Sequence, residues 1–383
     1  MRKKVCIGDL GTVVTGKTPS KSNKAFYGDY ALFLKPTDIS ECCKFTYKTE
    51  EMFSQLAADK FASSLIPEGA ICIPCIGTIG TKMTMSHCEC YTNQSINSIV
   101  CNDKYDNEYV YYLMKNFLPN LKSYNLGTAS GREFISKSNF EKIEIIAEQD
   151  KNIQNKIGKF LSRYDSLIEN YQKQIKLLEE SAQRLYKEWF IDLRFPGYEN
   201  TKIVDGVPEG WEKKKVGDLI SKVLRTKQVS ANNYLNSGCI PVIDQSRNYI
   251  AGYTNDIESL VEVTIPYIVF GDHTRVLKYV PFSFAKGADG TQLIMSNDLE
   301  RMPQSLFYNS LIEIDLSNYS YARHFKYLKE ESILVPSKDI AQRYDKVVSQ
   351  YFKSIQKSRG QIHHLTEARD RLLPKLMNGE IEV

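Results

Sequence analysis

The sequence lacks a long hydrophobic run. It contains no stretch of the roughly eighteen apolar residues that would span a membrane, and its first residues lack the apolar core of a signal peptide. Its nine cysteines are an odd number in a long chain without an export signal, which is typical of reduced thiols rather than of a disulfide framework. We therefore expect a protein of the cytoplasm.

A large excess of charge of one sign is also absent. The net charge is only +4, so the composition permits nucleic-acid binding without requiring it. Hydrophobic residues make up 42% and charged residues 25%, as in ordinary folded domains, and 383 residues favour two or three domains over one. Contacts to phosphate would therefore have to come from local basic clusters.

The motifs of common catalytic sites are missing. We find no Asn-Pro-Pro-aromatic or Asp-Pro-Pro-aromatic segment of an amino methyltransferase and no glycine-rich cofactor loop after a convincing strand. A G-x-S-x-G nucleophile elbow and an H-E-x-x-H helix are missing too. Together these absences favour a binding protein over an enzyme, and no catalytic residue is predicted.

One catalytic pattern does occur, in an unfavourable context. Residues 11–18, GTVVTGKT, match the phosphate-loop pattern G-x-x-x-x-G-K-[ST]. That loop needs a helix that begins at the lysine, whereas Pro19 follows Thr18 directly and disfavours helical backbone there. Residues 12–15 predict a strand instead. A nucleotide-binding protein is the alternative that this motif supports, and its context argues against it.

Four cysteines have spacings that could hold zinc. Cys72 and Cys75 form one pair, and Cys88 and Cys90, beside His87, form another. The first pair lies in or beside an apolar, strand-like run, where cysteine packs as a small hydrophobic residue. No glycine-rich knuckle follows either pair. Core packing is the favoured interpretation, metal binding by these cysteines stays an open alternative, and no metal site is predicted.

What the sequence does contain is a repeated amphipathic helix. Apolar residues recur at steps of three and four over residues 153–189, and the same pattern returns over residues 340–376. We call each line of apolar positions a seam. Each seam contains one step that is a residue longer than a strict heptad repeat requires, at Tyr164–Ile168 and at Tyr351–Ile355. The seam positions are Ile153, Ile157, Tyr164, Ile168, Ile175, Leu178, Leu185 and Trp189 in the first helix, and Ile340, Tyr344, Tyr351, Ile355, Ile362, Leu365 and Leu372 in the second.

The two helices are related but not equivalent. Ser358 and Arg369 interrupt the second apolar seam, and Pro374 predicts an end or a kink just before Leu376. On periodicity alone, such helices could simply close a core or dimerise. The repeated extra-residue step, next to globular regions that have diverged, favours instead a spacer made by tandem duplication.

The repeat sets the predicted organisation and an α+β fold class. Short β-branched and aromatic runs bounded by turn residues predict two strand-rich domains, and residues 213–335 show no strong helical periodicity. The predicted segments are a first domain at 1–149, a spacer helix at 150–192, a linker at 193–212, a second domain at 213–336, a second spacer helix at 337–378 and a tail at 379–383.

A tandem duplication of this kind can pack with pseudo-two-fold symmetry. We then expect the two long helices to pair as an antiparallel coiled coil, with one strand-rich domain at each end. A helix over residues 153–189 would measure roughly 55 Å. Such a spacer could hold two DNA-binding surfaces about 34–36 Å apart, which is one turn of DNA.

Polar and basic loops in both domains are candidate DNA contacts. Hydroxyl, amide and basic side chains can bind phosphate or base edges. Each such loop alone is more often an ordinary solvated turn, and it is their joint occurrence in both domains that favours DNA contacts. The candidates in the first domain are Lys17, Thr18, Ser20, Asn93, Gln94, Thr128, Ser130 and Arg132. Those in the second are Asp272, His273, Thr274, Arg275, Lys278, Arg323 and His324.

Short motifs also follow one another in a fixed order along the chain. In the first half they are residues 10–11, 16–20, 27–29, 33–39, 77–80, 93–96 and 127–129, and then 185–190, 195–197 and 208–211 at the junction. In the second half they are residues 240–243, 252–253, 271–275, 287–290, 321–325 and 372–380. Together with the repeated helices, this order resembles the specificity (S) subunit of a type I restriction–modification enzyme. The first domain departs from the pattern because it lacks a Pro-x-Gly-Trp opening like that of residues 208–211.

The resemblance implies a non-catalytic subunit with two target-recognition domains. Because the two domains have diverged, it implies a bipartite, asymmetric double-stranded DNA target. The subunit would bind no cofactor itself. It would dock two methyltransferase subunits, which use S-adenosylmethionine to methylate adenine N6, and restriction subunits driven by ATP and Mg²⁺, with the helices as docking surface. A coiled-coil scaffold that does not bind DNA is the remaining alternative.

Overall fold

The computed structural model describes residues 1–125, 127, 133–223, 226–319 and 323–383, which form two compact units. Unit 1 comprises residues 1–172 and 360–383, and unit 2 comprises residues 173–359. In the described part of the chain, no helix has the length and apolar character needed to cross a membrane. Strands and helices occur in both units, which confirms the predicted α+β class.

Unit 1 begins with nine strands and three short helices and ends with parts of two long helices. The strands are β1 (Arg2–Cys6), β2 (Gly11–Thr15), β3 (Tyr27–Leu34), β4 (Met52–Phe53), β5 (Ile71–Pro74), β6 (Thr84–Met85), β7 (Cys90–Thr92), β8 (Ile96–Cys101) and β9 (Glu144–Glu148). The helices are α1 (Gln55–Lys60), α2 (Asn107–Phe117), α3 (Lys137–Glu141) and the first part of α4 (Lys151–Tyr186).

The strands of unit 1 form three sheets. One has the order β2-β8-β5-β6 and is antiparallel, with Val13 opposite Ile99. The second has the order β4-β3-β7, and β1 pairs with β9 in the third. The β2 sheet packs on α2, so that Ile99 and Tyr112 share one core with Ile157 of α4. This core brings the alternating apolar residues of the strands against the apolar face of α4.

Unit 2 contains twelve strands and the remaining helices. The strands are β10 (Ile203–Val204), β11 (Val207–Pro208), β12 (Glu212–Lys215), β13 (Gln228–Val229), β14 (Ile240–Ile243), β15 (Gly252–Thr254), β16 (Leu260–Val261), β17 (Tyr267–Gly271), β18 (Leu277–Val280), β19 (Phe284–Gly287), β20 (Thr291–Ile294) and β21 (Ser332–Val335). The helices are α5 (Gln304–Ile312), α6 (His324–Glu330) and α7 (Lys338–Asn378), of which residues 338–359 belong to this unit.

The sheets of unit 2 have a different topology. The largest has the order β13-β19-β14-β15, with β16 also paired to β19, and it mixes parallel and antiparallel pairs. A second sheet has the order β18-β17-β20, and β12 pairs with β21. The segment predicted as a linker contributes the hairpin β10–β11. Its Phe195 and Trp211 are buried, and the Trp211 ring packs on both Phe195 and Phe190.

The two units nevertheless share one frame. In each, an early strand is followed by a short 3-10 turn and pairs with the strand just before a long helix. In unit 1, β1 pairs with β9, and in unit 2, β12, which follows the hairpin β10–β11, pairs with β21. An asparagine amide fastens the turn: Asn102 Nδ2 donates to Asp9 O at 3.0 Å, and Asn297 Nδ2 donates to Asp218 O at 2.7 Å. The duplication therefore includes this frame as well as the helices.

The long helices run antiparallel within each unit. In unit 2, Tyr344 donates to the carbonyl oxygen of Ala182 at 3.2 Å, and Ser358 Oγ lies 3.3 Å from Gln174 Oε1. In unit 1, Arg369 forms a buried ion pair with Asp165. Ser358, one interruption of the apolar seam of α7, thus faces the amide of Gln174. Arg369, the other interruption, faces the carboxylate of Asp165.

The buried polar network of unit 1 consists of Tyr112, Asp165 and Arg369. Tyr112 donates to Asp165 Oδ2 at 2.5 Å, while Arg369 pairs with the other carboxylate oxygen. Only 6–7% of the Arg369 and Asp165 side chains is exposed. Burial lowers the pKa of Arg369, but the carboxylates of Asp165 and Asp370 outweigh it and raise that pKa above its ordinary value. The arginine is therefore charged and paired in the interior.

Two details of the helices differ from the prediction. Trp189 lies in a π-helical turn, Lys187–Ile191, that follows α4. Pro374 does not end α7, which continues to Asn378; Arg2 of unit 1 then donates to the carbonyl oxygens of Leu376 and Met377 at 2.9 and 2.8 Å. These bonds satisfy acceptors that the end of a helix leaves open.

Helices α5 and α6 lie within residues 213–335, where no strong helical periodicity is visible. Seven of the residues of α5 are buried, including Gln304, Ser305, Asn309 and Ser310. A helix buried on most of its surface has no polar face, and so its sequence lacks the amphipathic pattern by which a surface helix is recognised.

Candidate nucleic-acid interface

In unit 1, two polar loops lie side by side at the ends of β2 and β7. The Gly16 amide donates to Ile96 O at 3.3 Å, and the Lys17 amide donates to Thr92 O at 3.0 Å. A Cβ atom on Gly16 would lie only 2.0 Å from Thr92 O, so this approach requires glycine. The side chain of Thr18 donates to Gln94 Oε1. We call residues 16–23 and 92–96 the first loop cluster.

The first loop cluster presents several candidate side chains to solvent. Lys17, Thr18, Ser20 and Gln94 are exposed, and Lys17 Nζ lies 3.4 Å from Ser63 Oγ. Asn93 is half-buried, and its side-chain oxygen accepts from the Ser95 amide at 3.0 Å, so that oxygen shapes the turn. These four exposed candidates therefore offer one ammonium group, two hydroxyls and an amide on a fixed backbone.

Two further segments border this cluster. The Cys75 amide donates to Ser95 O at 2.7 Å, and the Ile135 amide donates to Cys75 O at 2.9 Å. The segment that precedes Ile135 contains Thr128, Ser130 and Arg132, three of the predicted contacts. They lie outside the described residues, and their role stays a prediction.

In unit 2, three loops are joined by Gln245, a residue that sequence reasoning missed. Its Oε1 accepts from the His273 amide at 3.1 Å, and its Nε2 donates to Asp289 O at 2.9 Å. The Thr274 hydroxyl donates to Gln245 O at 2.6 Å. We call residues 244–249, 271–277 and 287–290 the second loop cluster. His273, Thr274 and Arg275 are exposed on it.

Two predicted contacts of unit 2 are buried in the structure. Asp272 Oδ1 accepts from the Phe325 amide at 2.8 Å. The ring nitrogens of His324 lie 2.8 Å from Asp272 O and 2.9 Å from Tyr319 O. These side chains fasten the start of α6 to the second loop cluster. The neighbouring Arg323 is exposed, so it is the residue of this segment that can reach a ligand.

Lys278 is also buried, with 3% of its side chain exposed. Its Nζ donates to Asn248 O at 2.5 Å and lies 3.7 Å from Asp244 Oδ1. Burial lowers the pKa of Lys278 to about 8, although Asp244 acts in the opposite direction. Lys278 thus supports the loop 244–249 from below. It does not reach the surface as a phosphate contact would.

The loop that Lys278 supports carries two exposed residues which sequence reasoning also missed, Arg247 and Asn248. The Tyr249 hydroxyl donates to Tyr279 O at 2.6 Å and anchors the other end of the loop. The available signal was the polar run DQSRN directly after the buried strand β14, a common place for binding residues. Arg275, held in a left-handed conformation with φ 61°, is a further exposed basic residue of the second loop cluster.

The two alternative sites receive no support from the geometry. Residues 11–15 form β2, and no helix begins at Lys17, so the phosphate-loop pattern lacks its structural context. Cys72 and Cys90 are buried in unit 1, and burial raises the pKa of the Cys75 thiol to about 12. Over the described ranges, no group of three His, Cys, Asp or Glu side chains is placed to hold a metal ion.

The fold and the site define a duplicated recognition protein: two strand-rich units on antiparallel helices, each with its own polar loop cluster. Residues 2–180 match the family model of the type I restriction modification DNA specificity domain. The first half of the chain therefore carries a type I restriction modification DNA specificity domain, and the whole chain is similar to a specificity subunit of a type I restriction enzyme.

Relatives of the whole chain and of part of it agree with this assignment. The type I restriction enzyme MjaIX specificity subunit of Methanocaldococcus jannaschii is 26% identical over 98% of this chain and 93% of its own length. The HindI specificity subunit of Haemophilus influenzae is 35% identical over 45% of this chain and 38% of its own. The fold is similar to that of a type I system S subunit from M. genitalium, with a TM-score of 0.57 at 17% identity over 98% of this chain and 96% of that one.

Proposed function

We propose that this chain reads a bipartite, asymmetric DNA target, with each loop cluster contacting one half of it. The observation that carries the proposal is that one frame bears two different loop clusters. The asparagine-fastened turns repeat, whereas the loops differ in length, topology and side chains. Because base edges are distinguished by specific donors and acceptors, unlike loops favour unlike half-sites.

The chemistry of the exposed side chains suits this role. Lys17, Arg247 and Arg323 supply positive charge for phosphate. Gln94 and Asn248 supply amides, the groups that pair with adenine in the major groove. The buried members, Asp272, Lys278 and His324, keep the second cluster in shape, so their part in recognition is indirect.

The partners follow from the same proposal. We expect two DNA methyltransferase subunits, and in a restriction-competent complex also restriction subunits, to dock on the exposed faces of α4 and α7. S-adenosylmethionine, ATP and Mg²⁺ would be bound by those partners, and this chain would contribute no catalytic group. The proposed place of action is the cytoplasm.

Footprinting of the complex with its methyltransferase subunits tests the proposal. Two short protected segments of unlike sequence, separated by a gap of fixed length, are the expected result. The DNA affinity should also fall steeply as salt rises, because phosphate contacts release counterions. A single continuous footprint, or protection independent of sequence, contradicts the proposal.

A further inference from the structure

Unit 2 contains a cavity of about 280 Å³ that is lined by one of the proposed DNA contacts, Arg247. One wall is formed by α4 and α7, through residues that include Glu179, Gln356 and Arg359. The other wall is formed by the loop 244–249 and β18, through residues that include Arg247 and Lys278. Its size is near the lower end of the range for small-ligand sites.

The charged groups around the cavity are mainly cationic. Arg247, Lys278 and Arg359 line it, against the single carboxylate of Glu179. Arg359 donates to Glu179 at 3.1 Å, and burial raises the pKa of Glu179 despite the opposing effect of Arg359. Arg247 forms no hydrogen bond or ion pair with the described residues. The cavity is therefore suited to an anion that Arg247 can bind.

The cavity also has a flat aromatic side and an open acceptor. The Arg359 guanidinium lies 3.7 Å from the centre of the Tyr249 ring, and Tyr308 and Phe352 continue this wall. Gln356 Oε1 is buried and has no hydrogen-bond partner within the described part of the chain. A buried acceptor without a donor is costly, and a ligand N–H group would satisfy it.

We propose that this cavity binds a small planar anion, a ring that carries an amino group and a phosphate or carboxylate. The anionic group contacts Arg247, the ring lies along Tyr249 and Tyr308, and the amino group donates to Gln356 Oε1. Because Arg247 and Tyr249 belong to the loop 244–249, a bound ligand would also hold one edge of the second loop cluster.

Isothermal titration calorimetry of the full-length chain without DNA tests the inference independently of DNA recognition. The probes are 4-aminophenyl phosphate and 4-aminobenzoate, which share the ring and the amino group and differ only in the anionic group. Saturable binding of either probe supports the site, and a preference for one identifies the anion as phosphate or carboxylate.

Variants then locate the site. Arg247→Met should weaken binding at least tenfold, and Gln356→Leu should weaken it severalfold. Arg343→Met, on the same helix α7 but outside the cavity, should bind like the wild type. Circular dichroism confirms that each variant is folded. The inference is overturned if neither probe binds, if Arg247→Met binds as tightly as the wild type, or if inorganic phosphate binds as tightly as 4-aminophenyl phosphate.

Discussion

The two loop clusters use similar side chains in different ways. In unit 1, Lys17, Thr18 and Gln94 point into solvent, and backbone hydrogen bonds hold the loops together. In unit 2, side chains such as Gln245 and Lys278 hold the loops, and Lys278 is almost fully buried. A lysine is thus a surface group in one unit and an internal support in the other. The residue type in a polar loop does not by itself reveal which of these roles it plays.

The largest expected effect comes from the buried polar network, for which unit 2 has only a weaker counterpart. Arg369→Met leaves the Asp165 carboxylate buried without its cation, which should lower the free energy of unfolding by roughly 3–5 kcal/mol. Ser358→Ala, at the other interruption of the seam, should cost only about 1 kcal/mol. Urea denaturation followed by circular dichroism measures both. If the two variants lost equal free energy of unfolding, the buried polar contacts of the two units would be equally strong, contrary to this comparison. The exposed Arg371→Met serves as the control.

The next effect is a pH dependence of the free energy of unfolding, and it compares buried Lys278 with exposed Lys17. The pKa of Lys278 is about 8 in the folded chain, below the ordinary lysine value of 10.5, so folding disfavours its charged form. The folded state therefore releases this proton first. The free energy of unfolding of the wild type should rise relative to Lys278→Met as pH increases from 8 to above 10, by up to about 3 kcal/mol. Lys17→Met, at the exposed position, should show no such trend. Chemical denaturation at several pH values measures these free energies. If the difference between the wild type and Lys278→Met stayed constant with pH, the charge of Lys278 would not be buried.

A smaller effect concerns sequence specificity and tests whether each loop cluster recognises its own half-site. Thr274→Val removes an exposed hydroxyl and its bond to Gln245 in the second cluster, and Gln94→Ala removes an amide from the first. Each should relax one half-site only, by about 1–3 kcal/mol of discrimination. Methylation of a randomised plasmid library by the complete modification complex measures both half-sites together. A change in the same half-site by both variants would mean that the clusters do not act separately.

The smallest expected effect is electrostatic. Lys17→Met should weaken DNA binding by a similar factor for all sequences and reduce the slope of log affinity against log salt by about one. Titrations at several salt concentrations measure the slope. Lys278→Met should leave the slope unchanged, because a buried ammonium cannot contact phosphate. A change in slope for Lys278→Met alone would reverse the roles assigned to these two lysines.

The long helices were the part of the fold that could be predicted best, because the spacing of their apolar residues is visible in the sequence. The steps of three and four placed α4 and α7, and Ile157, Ile168, Tyr344 and Ile355 are buried as expected. Helix α5 escaped detection because its polar residues, such as Gln304, are buried and hydrogen-bonded to backbone atoms from elsewhere in the chain. Partners of this kind are distant in sequence, and a local pattern does not contain them.

The loop residues could be predicted only in part, for the same reason. The composition of residues 271–278 predicted a polar loop but could not separate exposed His273 from buried Asp272, its neighbour. That difference depends on Phe325, more than fifty positions away, whose amide binds the Asp272 carboxylate. Gln245 was missed because its role is to join three loops that are separate in sequence.

The division of α7 between the units has a consequence for biosynthesis. Unit 2 is a continuous stretch of chain, whereas unit 1 is assembled from residues 1–172 and 360–383. As the chain leaves the ribosome, unit 2 can complete its core while Asp165 still lacks Arg369 and Arg2 still lacks the end of α7. The first half to be translated is therefore the last to be finished. Until then it exposes an unpaired carboxylate and an uncovered apolar face, the kind of surface that makes incompletely folded chains prone to aggregation.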